Sequence, residues 1–386
     1  MARLDRVIQR ASEGRILATH LKKGCLNFVV FGPGRGESIV VVLPDGSVGV
    51  VDGCREKDKE DPVRELVRAL MNLDWIKHEL AFVCVTHPHD DHYAGIGALL
   101  EEFHGRVQRI WTVVPVAGRY GKALTMWIQR TWAGEYKFPD DPSFRGLERL
   151  VDSVHNRHPG TELDFLSRGK RLAPVGTKST AGGVQVWSIG PSDHDVQNAL
   201  TDLVGSLARL AGLPGRTRPI DANLTSGALL IKWGKAQVLL AGDLLTGSAS
   251  TSGWEHCGKL VQGRVQVVNV AHHASEGAHH PSLWKRMAPK LAIVTPFMMA
   301  AGTQPPQKSM LDELSKASQV IVTTPPSWVA PTASVPDLKL RSPFPVSVEP
   351  VPTPPRGNKH NAVGVVMNRN GGIERVMLGG DALVYP

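Results

Sequence analysis

A run of six apolar residues, Leu80 to Val85, leads straight into Thr86-His87-Pro88-His89-Asp90-Asp91-His92. A short apolar run with no helical stripe predicts a buried β-strand. Five ionisable side chains, from His87 to His92, then stand at the end of that strand, against the core. Burying so many charges is prohibitive unless something offsets them. A divalent cation does this, because it takes imidazole nitrogens and carboxylate oxygens at about 2 Å. His87 and His89 are two apart in an extended loop, so both rings fall on one side and can share an ion. Asp91 and His92 turn toward a second.

Two later segments repeat the pattern of an apolar strand that ends in donors. Val238-Leu-Leu-Ala-Gly-Asp243 ends in a glycine that lets the chain turn and a carboxylate able to bridge two ions. Val267-Val-Asn-Val-Ala-His272-His273-Ala-Ser275 ends in paired histidines. Side chains at the ends of different strands meet at one rim of a sheet in α/β folds. Strand-like and helix-like runs alternate along the chain, so the expected class is α/β. Asp45-Gly46 and Asn370-Gly371-Gly372 mark hairpins. Residues 115–180 break the rhythm with Tyr120, Trp127, Trp132 and Tyr136 and predict an inserted, mainly helical segment. Residues 325–355, rich in proline, predict a long surface excursion.

Composition narrows the class further. Of the 386 residues 42% are hydrophobic and 21% charged, which excludes wholesale disorder. A formal charge of +8 suits a phosphate-bearing substrate, with nucleic acid among the options, although the basic residues form no dense tract. The four cysteines form no CxxC pair, which argues against thiolate zinc sites and for a reducing compartment. The first fifteen residues lack the apolar stretch of a secretory signal. No run approaches the roughly 20 apolar residues of a membrane span. The expectation is a cytoplasmic protein with no membrane partner.

The order HxHxDH, strand-end Gly-Asp and then His-His-Ala-Ser resembles the metallo-β-lactamase fold superfamily. Within it, the chain is most similar to the branch that includes the metallohydrolase domain of the DNA-uptake protein ComEC and bacterial phosphorylcholine esterases. The resemblance runs from about Asn27 to Val322 and includes Gly34-Arg-Gly-Glu37-Ser38, Leu43-Pro-Asp-Gly46, Val50-Val-Asp52-Gly53 and Asn223-Leu-Thr-Ser226. It implies an αββα sandwich, a single domain over residues 1–386, with the metal site between its halves. Zinc is the metal it favours, with manganese as the alternative. His87, His89, Asp91, His92 and Asp243 would be ligands, with Asp91 also orienting a metal-bound hydroxide. His273 or its neighbour His272 would donate to a phosphate oxygen or protonate the leaving group. Asp52 would hold the ring N–H of a liganding histidine.

The sequence departs from the superfamily pattern at two ligands. No histidine stands where one is expected before Asp243, and His194, Asp221 and Asn223 are the candidates there. No histidine stands some 25 residues past the His-His pair, in the region of Met298, leaving His279, His280, His360 or Gln304 as substitutes. Leu245 also replaces an acidic residue found in some relatives. The count is therefore one or two ions. The leading reading is a metal-dependent hydrolase acting as a phosphodiesterase or nuclease. Two alternatives stand beside it. One is a weakened metal-binding or signalling module that works with a partner protein, perhaps contacted through residues 115–180. The other is an acyl-ester hydrolase acting on lactones or thioesters.

Overall fold

Strand β1 (Leu26–Phe31) shows how the layers arise. Leu26, Phe28 and Val30 point into one apolar cluster while Val29 and Phe31 point into another, so both faces of the strand are buried. The structure, a computed structural model, describes residues 13–54, 61–75, 79–87, 89–113, 142–172, 183–210, 214, 222–298, 305–329, 346–351 and 360–385. The other strands of the first half are β2 (Ser38–Val42), β3 (Val48–Gly53), β4 (Leu80–Val85), β5 (Arg109–Thr112), β6 (Glu162–Phe165), β7 (Lys170–Arg171) and β8 (Gln185–Gly190). Those of the second half are β9 (Ala228–Trp233), β10 (Ala236–Leu240), β11 (Val267–Asn269), β12 (Leu291–Val294), β13 (Gln319–Val322), β14 (Ser347–Pro350), β15 (Ala362–Met367), β16 (Ile373–Gly379) and β17 (Leu383–Val384).

Among the described residues they form two mixed sheets. One runs β14-β16-β15-β1-β2-β3-β4-β5-β6 and the other β17-β13-β12-β11-β10-β9-β8-β7. The sheets face each other across a core of Phe28, Phe82, Trp111, Leu240 and Ile293, among others. Helices Pro62–Asn72, Ile96–Glu102 and Pro142–His155 cover the outer face of the first sheet. Helices Gly253–Cys257, Pro281–Met287 and Lys308–Ser315 cover the second. This is the expected αββα sandwich. Two of the covering helices, Pro62–Asn72 and Pro281–Met287, start at a side-chain cap. Asp61, for example, accepts from the Val63 N–H at 2.9 Å and so caps a helix whose first residue is proline.

Parallel pairing decides where the site forms. β3 runs parallel to β4 in one sheet, and β10, β11 and β12 run parallel in the other. Their C-terminal ends therefore deliver Asp52, His87, Asp243, the His272–His273 pair and Thr295 to one rim between the sheets.

Parts of the 115–180 and 325–355 segments fall among the described residues. Residues 142–172 pack onto the sandwich. Leu150, Val151 and Val154 pack into the outer core, β6 pairs with β5 and β7 pairs with β8. Four residues of local strand pattern were too few to read against the surrounding polar sequence. The rest of the 115–180 expectation lies on residues 114–141 and 173–182, outside the described residues. Likewise, part of the proline-rich excursion is the edge strand β14, parallel to β16. Pro350 is tolerated there because an edge strand needs fewer ladder donors. No helix among the described residues is long and apolar enough to cross a membrane.

Candidate metal centre

The HxHxDH loop leaves β4 with Thr86 tied to Asp52. Thr86 N–H donates to Asp52 Oδ1 at 2.7 Å and its hydroxyl to Oδ2 at 2.6 Å. Asp52 Oδ2 also lies 2.8 Å from His92 Nδ1, so the ring donates there and leaves Nε2 to face inward. His87 and His92 are fully buried, and Asp243 and His273 nearly so. His273 Nδ1–H donates to the Thr295 carbonyl at 2.6 Å, which again leaves Nε2 for the centre.

Two groups of donors converge on Asp243, beside a third made of Glu37, Asp52 and His92. One ligand atom from each of Asp91, His92, Asp243 and His273 lies within 4.8 Å of the other three, and the same holds for His87, His89 and Asp243. Donors about 2.1 Å from one ion stand roughly 3.0–3.5 Å from each other. In the first group His273 Nε2 is 3.0 Å from Asp91 Oδ2, His92 Nε2 is 3.1 Å from Asp243 Oδ1 and 3.5 Å from Asp91 Oδ2. In the second, His87 Nε2 is 3.1 Å from His89 Nδ1 and 3.6 Å from Asp243 Oδ2. The spacing suits an ion in each group.

Two buried atoms strengthen the fit. His92 Nε2 and Asp243 Oδ1 are 3.1 Å apart, yet neither makes a hydrogen bond among the described residues. They are close without being aligned on each other, as donors to a shared ion would be. A neutral His92 would turn its Nε2 lone pair toward Asp243 Oδ1, two acceptors 3.1 Å apart, an arrangement that a bound cation relieves, so the residues present fit one. The nitrogen-and-oxygen donor set suits zinc or manganese.

Electrostatics agree. Burial opposes a charge on His92, but Asp243, Asp52 and Asp91 outweigh it and hold the imidazole well above its ordinary value. Burial alone would raise Asp243, but His92, His273 and His87 hold its carboxyl well below the usual range. Burial and the neighbouring His92 hold His87 well below the ordinary value, leaving it neutral and ready to donate a lone pair. Burial pushes Glu37, beside them, up to about 7, against the pull of His92 and His273.

The His-His pair is divided by its backbone. His272 (φ 44°), His273 (φ 55°) and Ala274 (φ 60°) are all left-handed. Such a conformation costs roughly 1–2 kcal/mol for each non-glycine residue, so the surroundings must enforce it. The His272 N–H donates to the Gly242 carbonyl at 3.0 Å, and the Ser275 N–H donates back to the His272 carbonyl at 2.9 Å. His273 is thereby turned inward beside Asp91. His272 keeps 27% of its side chain exposed, with Nδ1 2.6 Å from Ser275 Oγ, Nε2 3.2 Å from Asn223 Nδ2 and Nε2 4.0 Å from Asp243 Oδ2.

Several candidates fall elsewhere. His194 is exposed on helix Asp193–Leu210 beside Asn198, in none of the donor groups found among the described residues. His280 caps helix Pro281–Met287 and pairs with Glu255, and His279 lies edge-on to Trp284. His360 pairs with Glu65 on the outer side of the first sheet. Asp221 and Gln304 lie outside the described residues. Asn223 does stand at the mouth, through His272. Glu37, Ser226, Asn269 and Thr295 had no assigned role from sequence. Ser226 Oγ accepts from the Asp243 N–H at 3.0 Å and lies 3.4 Å from His87 Nδ1. The only signal for Glu37 was its place in Gly-Arg-Gly-Glu just before a strand.

No protein-family model matches the sequence, and no curated protein does. Solved structures do overlap with it. The metallo-β-lactamase fold protein YhfI from Bacillus subtilis shares 12% identity over 76% of this chain and 96% of its own, with a TM-score of 0.38. The short form of human tRNase Z shares 12% over 70% and 92%, with a TM-score of 0.36. Tm1679, a metal-dependent hydrolase of the β-lactamase superfamily, shares 12% over 77% and 95%, with a TM-score of 0.38. Overlaps this loose do not bear on the chemistry, which rests on the side chains above.

Proposed function

We propose that the protein is a metal-dependent hydrolase whose substrate class is phosphodiesters. The observation that carries the metal reading is the pair of donor groups sharing Asp243, with His92 Nε2 and Asp243 Oδ1 buried 3.1 Å apart in one of them. His87, His89 and Asp243 would hold one ion, and Asp91, His92, His273 and Asp243 the other. Bound there, zinc or manganese supplies Lewis acidity and a nucleophile at neutral pH. The chain does the rest. Asp52 and Thr295 fix the ring tautomers of His92 and His273. Asp91, 12% exposed at its side chain, is the carboxylate placed to orient an attacking water. His272, at the mouth with Ser275 Oγ against Nδ1, would donate to the leaving oxygen from a protonated Nε2, displacing the Asn223 amide. The net charge of +8 favours a phosphate-bearing substrate over a neutral acyl ester.

The test is zinc- or manganese-loaded protein with bis(p-nitrophenyl) phosphate and single-stranded oligonucleotides, against an acyl-ester control. Chelator-sensitive cleavage of the phosphodiesters is expected. Turnover of acyl esters alone moves the substrate class, and no turnover with metal bound favours a binding module. His272→Ala is expected to lower turnover by about 10²–10⁴-fold with metal content unchanged. His273→Ala should lose metal instead. Equal metal loss in both variants would remove the division of roles between the pair.

Zinc binding should also release protons. Asp243, Asp52 and Asp91 favour the protonated His92 ring when no ion is present, so a cation that binds Nε2 must displace that proton. Apparent zinc affinity should therefore rise with pH. Calorimetry in two buffers of different ionisation enthalpy reads the release directly. A heat of binding independent of the buffer would contradict it.

A further inference from the structure

Glu37 stands one residue before β2, in the first sheet, with 1% exposure, and its side chain reaches into the second. Oε2 accepts from Asn269 Nδ2 at 2.8 Å and from Thr295 Oγ1 at 2.8 Å. Asn269 ends β11 and Thr295 follows β12. The Thr295 carbonyl is the same one that takes the His273 ring N–H. Glu37 Oε1 has no hydrogen-bond partner among the described residues and lies 4.0 Å from His92 Nδ1. The main chain of Glu37 reaches the other side of the centre, its N–H donating to the Asp91 carbonyl at 3.2 Å. That approach needs the preceding glycine: at Gly36 (φ 90°) a Cβ would sit 2.1 Å from the Asp91 carbonyl oxygen. One residue thus holds Asp91 by its backbone and the support of His273 by its carboxyl. These two ligand candidates come from different sheets and stand 3.0 Å apart.

We propose that Glu37 is the positioning residue of the Asp91–His92–His273–Asp243 subsite, setting its width by bridging Asp91 to the Thr295 support of His273 across the two sheets. This rests on the reading of the centre as a metal site. A carboxylate that only stapled the sheets would stabilise the fold without tuning metal affinity. One that positions ligands does both, and outer-sphere changes of that kind typically cost about 10–100-fold in affinity.

The experiment is zinc titration of the full chain against a competing chelator, with circular dichroism to establish folding. Glu37→Ala is expected to weaken zinc binding at one of the sites by about 10–100-fold. Glu37→Gln, whose amide oxygen still accepts from Asn269 and Thr295, should stay near wild type. Asn27→Ala is the control: Asn27 is equally buried in the same sheet and its side chain bonds, among the described residues, to Lys22 and Cys25, so zinc affinity should not change. Should Glu37→Ala not fold, Thr295→Val removes one donor to Glu37 and should give a smaller loss in the same direction. Wild-type zinc affinity in folded Glu37→Ala or Thr295→Val overturns the proposal, as does a Glu37→Gln that loses as much as Glu37→Ala. Wild-type protein that binds no zinc would instead overturn the metal-site reading itself.

Discussion

Asp243→Ala is expected to empty both subsites and abolish hydrolysis. Asp243 is shared by the two donor groups, with Oδ1 3.1 Å from His92 Nε2 and Oδ2 3.6 Å from His87 Nε2. Changes in groups that merely support ligands cost about 10–100-fold in metal affinity, so loss of a shared direct ligand should exceed the upper end of that range. The variant also leaves the His87, His92 and His273 rings facing one another with less negative charge between them. Their protonation should then be disfavoured, and the folded protein should be less stable at mildly acidic pH than the metal-free wild type. Metal analysis after dialysis, together with the phosphodiester assay, reads the first effect. Retention of a full complement of zinc by Asp243→Ala would show that the carboxylate is not a ligand.

The second large effect is expected from Gly242→Ala, which touches no candidate ligand side chain. Gly242 has φ 50°, and a Cβ there would lie 2.7 Å from both the Gly227 carbonyl oxygen and Ser226 Oγ. A left-handed non-glycine costs roughly 1–2 kcal/mol and overpacking a further 1–3 kcal/mol, so destabilisation of about 2–5 kcal/mol is expected. The displacement also reaches the site. Ser226 Oγ receives the Asp243 N–H, and the Gly242 carbonyl receives the His272 N–H. Denaturant unfolding and zinc content should therefore fall together. A variant with wild-type midpoint and metal content would mean that the turn before Asp243 relaxes freely, contrary to the packing described.

What the sequence revealed about the centre follows from density of signal. Five of its residues, His87, His89, Asp91, His92 and Asp243, sit at the ends of apolar strands long enough to be read, and the structure brings them together. The His-His pair was legible as a pair but not as two different environments. That division comes from three successive left-handed residues, and no local rule predicts such strain. The substitutes for the missing histidines could not be separated in the sequence, because a titratable residue type says nothing about which face its helix presents: His194 lies on the surface and His280 caps a helix. Glu37 and Thr295 were invisible because each acts through a contact between sheets more than 250 positions apart in sequence. Edge strands β6, β7 and β14 were missed for a related reason. With two to four residues each, their pairing partners rather than their own pattern make them strands.

The central claim is that two sheets gather these imidazoles and carboxylates around a shared cation. Anomalous diffraction at the zinc edge from crystals of the zinc-saturated protein tests it most directly. The account predicts a strong peak bounded by Asp91, His92, His273 and Asp243, and a second on the His87 and His89 side of Asp243. Zinc found only away from Asp243, or no ordered zinc in saturated crystals, would contradict it.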